Sequence, residues 1–247
     1  MCRRHWVIRS VRPASRPTSR RPSDLENHTM EDRVAAQEAR TLQAYIADVS
    51  SGTPAPGGGS VAAIVAALAA GLGSMVANLT IARKARPEDI PSELTAAVPL
   101  LADATRRLTD LSVQDELAYA RYIAATHLPK ETEDERVVRR AAQQDTLLVA
   151  ADVPLAVAEL SRTILLTMTP VAHLGTRHAL ADCSVGAWLA SAAAHSALIN
   201  VRINAAMMDD PIRSNDYHHR ADEIETDLDA LRQEVLAAVG SRSQASS

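Results

Sequence analysis

The chain has 247 residues, a length for one domain with tails, and its 47% hydrophobic content is enough for a sizeable core. Aromatic residues are only 2% and phenylalanine is absent, so that core must be alanine, leucine, valine and isoleucine, which favours close-packed helices over a sheet. Two cysteines, Cys2 and Cys183, exclude a disulfide framework and lack metal-ligand spacing, which fits a reducing cytoplasm.

Residues 1–23 carry seven arginines and no acidic residue, leaving 19 basic against 30 acidic residues in the rest. An acidic body argues against a nucleic-acid protein. The basic stretch lacks the apolar core of a secretory signal. It reads as a transit peptide, a nucleic-acid arm or, the favoured reading, an upstream extension of a protein that begins at Met30. Residues 1–29 are expected to be disordered, 30–240 to form one helical domain, and 241–247 to be a disordered tail.

A first helix is expected from Asp32 to Val49, with Ala36, Ala39, Leu42, Tyr45 and Ile46 on one face. The stretch Thr53-Pro54-Ala55-Pro56-Gly57-Gly58-Gly59-Ser60 cannot be helix or strand interior. Ser60 suits an N-cap, and Val61–Ala82 is an uncharged, alanine-rich run expected to be a helix buried all round. A glycine loop opening onto a helix leaves N–H groups bare at the positive end of the dipole, where an anion or polar ligand edge fits. The same glycines equally suit a close approach of two helices, and the spacing is neither a dinucleotide nor a Walker fingerprint. The run exceeds the ~18 uncharged residues that suggest a membrane span. Its alanine and glycine content, Asn78, and the lack of a second span or an aromatic belt favour a core helix, with no membrane partner.

Arg83-Lys84-Ala85-Arg86-Pro87 ends that helix, its cations complementing the dipole and also suiting an acidic ligand. From Ser92 to about Thr126, Leu101, Ala104, Leu108, Leu111, Asp115, Ala118 and Tyr122 form one helical seam. Asp115 on an apolar seam either surfaces, has a partner, or is poised for chemistry. Thr132-Glu133-Asp134-Glu135 is a capping box, and the helix after it is expected to kink or break at Pro154 and to close at Thr169-Pro170. Gly175–Asp182 reads as a loop with Asp182 as N-cap. The following helix carries Val185, Leu189, Ala192, Ile199 and Ile203, and Asp182, Gly186, Leu189, Ala193, Ala197, Asn200 and Asn204 fall along another face of small and polar groups. A last helix is expected from about Tyr217 to Val239, terminated by Gly240. No strand alternation and no HExxH-type spacing appear, so the expectation is an all-α helical bundle with a long buried central helix and no metal.

Several of these segments together resemble a known family. Pro54–Ala63 resembles the opening motif of the formiminotransferase-cyclodeaminase C-terminal family, which includes formiminotetrahydrofolate cyclodeaminases and stand-alone methenyltetrahydrofolate cyclohydrolases. Arg83-Lys84, Asp115–Tyr119, Leu128-Pro129-Lys130, Ala151–Leu155, Gly175–Asp182 and Asn200–Asn204 are similar to its further motifs, in the same order. The chain departs from the pattern at Ala85-Arg86-Pro87, Gln114, Thr176 and Ala181. The resemblance implies an all-helical domain that forms a homodimer and binds folate in a cleft bordered by the glycine loop. It implies Asp115 or Asp182 as acid/base. Lys84 would orient the substrate or polarise the reacting centre, and Pro56, Gly57, Gly58, Gly59, Ser60, Arg83, Asn200 and Asn204 would hold it. No cofactor beyond the tetrahydrofolate substrate is implied. Without a formiminotransferase-like segment among these residues, water addition is favoured over ammonia release. The alternative is an inactive folate-binding or structural helical-dimer homologue.

Overall fold

Alanine-rich runs, capping residues and heptad spacing resolve into six α-helices in the computed structural model, which describes residues 40–244. They are α1 (Leu42–Val49), α2 (Gly58–Ile81), α3 (Ser92–Thr126), α4 (Glu133–Leu174), α5 (Leu180–Ala206) and α6 (Pro211–Gln244), with 3₁₀ turns at Pro87–Asp89 and Arg177–Ala179. No strand occurs among the described residues, so the all-α bundle stands. The expected disorder of residues 1–29, and the first part of the first helix, lie outside the described residues.

α2 packs against α3, α4 and α5, and α4 and α5 both pack on α6. The contacts of α2 are made by small residues: Ala62, Ala63, Ala66, Ala69, Ala70, Gly73 and Ala77 are all buried. Small side chains let helix axes approach closely. At Gly186 of α5 a Cβ would sit 3.3 Å from the Ala69 carbonyl oxygen and 2.4 Å from Met168 Cε, so glycine sets that approach. Leu101, Leu108, Leu155, Ile164, Leu165, Met168, Leu198 and Leu228 fill the rest of the core. α2 and α5 run antiparallel, because Gly58 lies by Asn200 while Ala69 lies by Gly186.

Several boundaries differ from the sequence reading. Thr41, not a residue near Asp32, caps α1, its side chain accepting from the Ala44 N–H. Gly57 is the N-cap of α2, so Gly58, Gly59 and Ser60 are already its first turn. No described glycine has a positive φ. The glycines serve close approach rather than a left-handed turn. α2 is central but not buried all round, since Leu68, Met75 and Leu79 are exposed. Over half of it packs into the bundle, although it is long and apolar enough to cross a membrane.

The capping box forms between Thr132 and Glu135, but α4 runs unbroken through both Pro154 and Pro170. Pro154 has no N–H for the carbonyl of Ala150, one turn back. Asn204 of α5 donates to that carbonyl at 2.6 Å, so tertiary contact supplies the missing bond. Ala179 rather than Asp182 precedes α5, placing Asp182 within its first turn. The structure also decides which face of α5 is buried. Its small residues Gly186, Ala190, Ala193 and Ala197 are buried, while Val185, Ile199 and Ile203 face out. α6 starts earlier than expected, at Pro211, capped by the Asp210 carboxylate, which accepts from Ile212 N–H at 2.9 Å. It runs past Gly240 to Gln244, so 241–244 are helix and not tail.

Candidate active site

A cavity of about 320 Å³ opens where the N-terminus of α2 meets α3 and the C-terminal end of α5. Its floor is the first turn of α2, and Asp115, Tyr119 and Tyr122 project from one side, with Asn200, Asn204 and Met207 from another. Asp115, Ala118 and Tyr122 are the last members of the α3 seam, so the seam surfaces here and carries its carboxylate to the cavity.

The first turn of a helix has N–H groups with no partner inside the helix. Ser60 donates its N–H to Asp115 Oδ2 at 2.8 Å. The Gly58 and Gly59 N–H groups find no acceptor among the described residues, and both glycines line the cavity. The backbone comes so close to Asp115 that a Cβ on Gly59 would stand 2.1 Å from Oδ1. With the carboxylate in this place, only glycine fits there. Burial pushes the Asp115 carboxyl above the ordinary carboxylate range; the Ser60 N–H pulls it down, and the charge of Glu116 adds to the rise. A carboxyl held between these effects suits reversible proton transfer.

Behind this turn lies a network that sequence reading missed. The fully buried Ser60 hydroxyl meets Ser112 Oγ at 2.7 Å and Tyr45 Oη at 2.9 Å, with Glu116 Oε1 at 3.4 Å. Arg40 donates to Glu116 at 3.2 Å, pairs with Asp48, and stacks over the Tyr45 ring at 5.0 Å. The network ties α1 and α3 to the start of α2 and fixes the geometry at Asp115. Ser112 lies one turn before Asp115 on the same helix face, which is the only sequence signal that pointed to it.

The residues expected to form one site fall into two groups. Gly57, Gly58, Gly59, Asp115, Asn200 and Asn204 line the cavity, and Pro56, whose bond to Ala55 is cis, adjoins it. Ser60 reaches it only through its N–H, its hydroxyl being turned inward. Asn204 spends its amide on Ala150, and Asn200 donates to Ser196 at 3.0 Å. Arg83 and Lys84 lie past the opposite end of α2, where Arg83 bonds Thr176 and the Thr176 N–H donates to Thr80 at 2.8 Å, and Asp182, in the first turn of α5, lies on that side of the Gly186–Ala69 contact. A 24-residue helix spans about 36 Å, so within one chain these three do not meet Asp115. Among the described residues no cluster of three His, Cys, Asp or Glu gathers as a metal site. Cys183 is buried, its thiol pushed up to about 12 by desolvation, and is unsuited to act as a nucleophile.

The fold and cavity define an all-α protein with a small-molecule pocket built around a half-buried carboxylate and a glycine-rich helix start. Residues 41–223 match the formiminotransferase-cyclodeaminase family profile, and the chain belongs to that family. It is 32% identical over 202 residues to the methenyltetrahydrofolate cyclohydrolase of Methylorubrum extorquens, covering 82% of this chain and 97% of that one. It is 33% identical over 204 residues to the formimidoyltransferase-cyclodeaminase of Mus musculus, covering 83% of this chain but only 38% of that protein. The crystal structure of formiminotetrahydrofolate cyclodeaminase from Thermotoga maritima superimposes with a TM-score of 0.73 at 27% identity, over 83% of this chain and 98% of that chain.

Proposed function

We propose that the chain acts on the one-carbon bridge of a tetrahydrofolate derivative, as a methenyltetrahydrofolate cyclohydrolase or a formimidoyltetrahydrofolate cyclodeaminase. The observation that carries the reading is Asp115, a carboxyl of raised pKa held at the wall of the cavity by the first turn of α2. In cyclohydrolysis, Asp115 accepts a proton as water adds to the methenyl carbon. It returns that proton to the ring nitrogen as one C–N bond breaks, while the hydroxyl of the adduct gives up its own proton to solvent and a formyl group is left on the other nitrogen. In cyclodeamination one folate nitrogen attacks the formimino carbon. The proton it loses passes through Asp115 to the departing nitrogen, which with a second proton from solvent leaves as ammonia and leaves the methenyl cation behind. The Gly58 and Gly59 N–H groups hold a polar edge of the substrate.

Of only four tyrosines in the chain, two line this cavity, which suits a flat heteroaromatic ring. The near-complete coverage of the Methylorubrum cyclohydrolase supports the water-adding branch, and the Thermotoga cyclodeaminase, equally well covered, keeps ammonia release as the second reading. The proposal includes a cytoplasmic homodimer that needs no cofactor beyond its folate substrate and binds neither nucleic acid nor membrane. The test supplies methenyl- and formimino-tetrahydrofolate separately to the purified chain and follows the methenyl absorbance against uncatalysed controls. Acceleration of one reaction names the branch; acceleration of neither overturns the proposal.

A further inference from the structure

The stretch Arg136-Val137-Val138-Arg139-Arg140 sets three arginines in the first two turns of α4, where helical spacing sends them different ways. Arg136 is fully engaged: its Nε and Nη2 donate to Glu133, and its Nη1 to the carbonyls of Lys130 and Glu131. Arg140 is only half engaged. Its Nε donates to Asp209 Oδ2 at 2.5 Å and its Nη2 to Oδ1, while its Nη1 donates to nothing among the described residues. The side chain is 59% exposed, so that free edge is open to a ligand.

This edge faces a groove beside the cavity. Glu133, Arg136, Val137, Arg140, Gln144 and Asp209 line it, and Arg139 does not. Gln144 ties groove and cavity together: its Nε2 donates to the carbonyl of Met207, which lines the cavity, and its Oε1 accepts from the Asp209 N–H at 2.7 Å. The hydrogen bonds and charge of Asp209 hold the Arg140 guanidinium above its ordinary range, and Tyr122, on the cavity wall, adds to the rise, so the two sites adjoin.

The cavity is near the lower end of the ~300–1,000 Å³ range of ligand sites, and its lining holds no Lys, Arg or His. A tetrahydrofolate with its one-carbon bridge at Asp115 must carry its aminobenzoyl unit and glutamyl carboxylates past the rim. Arg140 lies two turns before the cavity-lining Leu147 on one face of α4, about 10.5 Å along the axis. The aminobenzoyl amide spans a comparable length. Exposed Val137 offers the ring an apolar strip, and Glu133 and Asp209 are each paired with an arginine, so a dicarboxylate meets no unpaired acid in the groove.

We infer that this groove is the subsite for the aminobenzoylglutamate tail of the substrate, with Arg140 Nη1 donating to a glutamyl carboxylate. The inference rests on the folate reading above. Its test uses methenyl- or formimino-tetrahydrofolate, whichever the wild type turns over, and the same compound cut back to its neutral benzamide. An ion pair as exposed as Arg140–Asp209 contributes little to stability, so its variants fold. Arg140→Ala raises KM for the full substrate about tenfold, for the loss of a charge-assisted contact, with little change in kcat. For the benzamide, wild type and variant share one KM. Asp209→Asn removes the competing carboxylate, so KM for the full substrate falls, whereas a merely structural ion pair predicts the same loss from either substitution. Arg139→Ala, outside the groove, is the control at wild-type KM. A KM rise equal for both compounds, a KM raised by both substitutions, or no rise in Arg140→Ala overturns the inference and leaves the folate reading standing. If the wild type turns over neither folate, that reading has failed, and calorimetric titration with p-aminobenzoylglutamate alone still reads the groove. Binding weakened about tenfold by Arg140→Ala upholds the subsite; binding insensitive to it, or no binding, overturns it.

Discussion

Replacing Gly59 with alanine isolates the position of the Asp115 carboxylate from the stability of the fold. The new Cβ would stand 2.1 Å from Oδ1, 2.6 Å from Cγ and 2.9 Å from Oδ2, where ordinary contact begins at 3.4 Å. The carboxylate must therefore retreat by about 1.3 Å, and its 2.8 Å bond from the Ser60 N–H is lost or bent. Because Asp115 borders an open cavity, its side chain can swing aside without moving the helices. Alanine also favours the helical first turn by about 0.5–1 kcal/mol over glycine, which offsets the lost hydrogen bond. The expected result is a Tm within a few degrees of wild type and kcat lower by about 100-fold, the cost of displacing a catalytic group by ~1 Å. Gly58→Ala is the matched comparison, since its Cβ would only touch Asn200 Nδ2 at 4.0 Å. It should lose less than about tenfold. Thermal unfolding and the methenyl absorbance assay on both variants give the answer. A Gly59→Ala enzyme with wild-type kcat would show that the observed place of the Asp115 carboxylate does not matter to turnover, and the acid/base assignment would fall with it.

Two further expectations follow from the same geometry. A carboxyl whose folded pKa is raised binds more protons folded than unfolded, so stability declines as pH climbs from the ordinary carboxylate range through the raised value. Asp115→Asn should therefore abolish turnover while its Tm matches or exceeds wild type, with an advantage larger at pH 8 than at pH 4; a Tm deficit that grows with pH would refute the sign. Asn204→Ala leaves the Ala150 carbonyl without a donor, at a cost of about 1–3 kcal/mol in denaturant unfolding. Pro154→Ala restores an N–H to that carbonyl, so in the double variant the Asn204 substitution should cost almost nothing, and strict additivity would refute the pairing.

The sequence alone determined the helical class. Alanine and leucine with very few aromatic residues cannot build much else, and α3 begins at Ser92 and ends at Thr126 as its seam implied. Local chemistry also fixed the capping box of α4, because both of its bonds lie within four residues. Asp115 was legible as an anomaly, a charge on an apolar seam, though not what it touched. Tertiary structure decided the rest. Pro154 reads as a break until Asn204 arrives from another helix. Ser60 reads as a cap until its hydroxyl is buried against Tyr45 and Ser112. Which face of α5 is buried was also decided there, because small residues permit the close contact with α2 and leave the larger apolar side chains outside. Glycine triplets, cations and carboxylates were all visible in one dimension. Which of them share a cavity is set by the length of α2, a helix long enough to hold Lys84 and Asp115 apart within one chain.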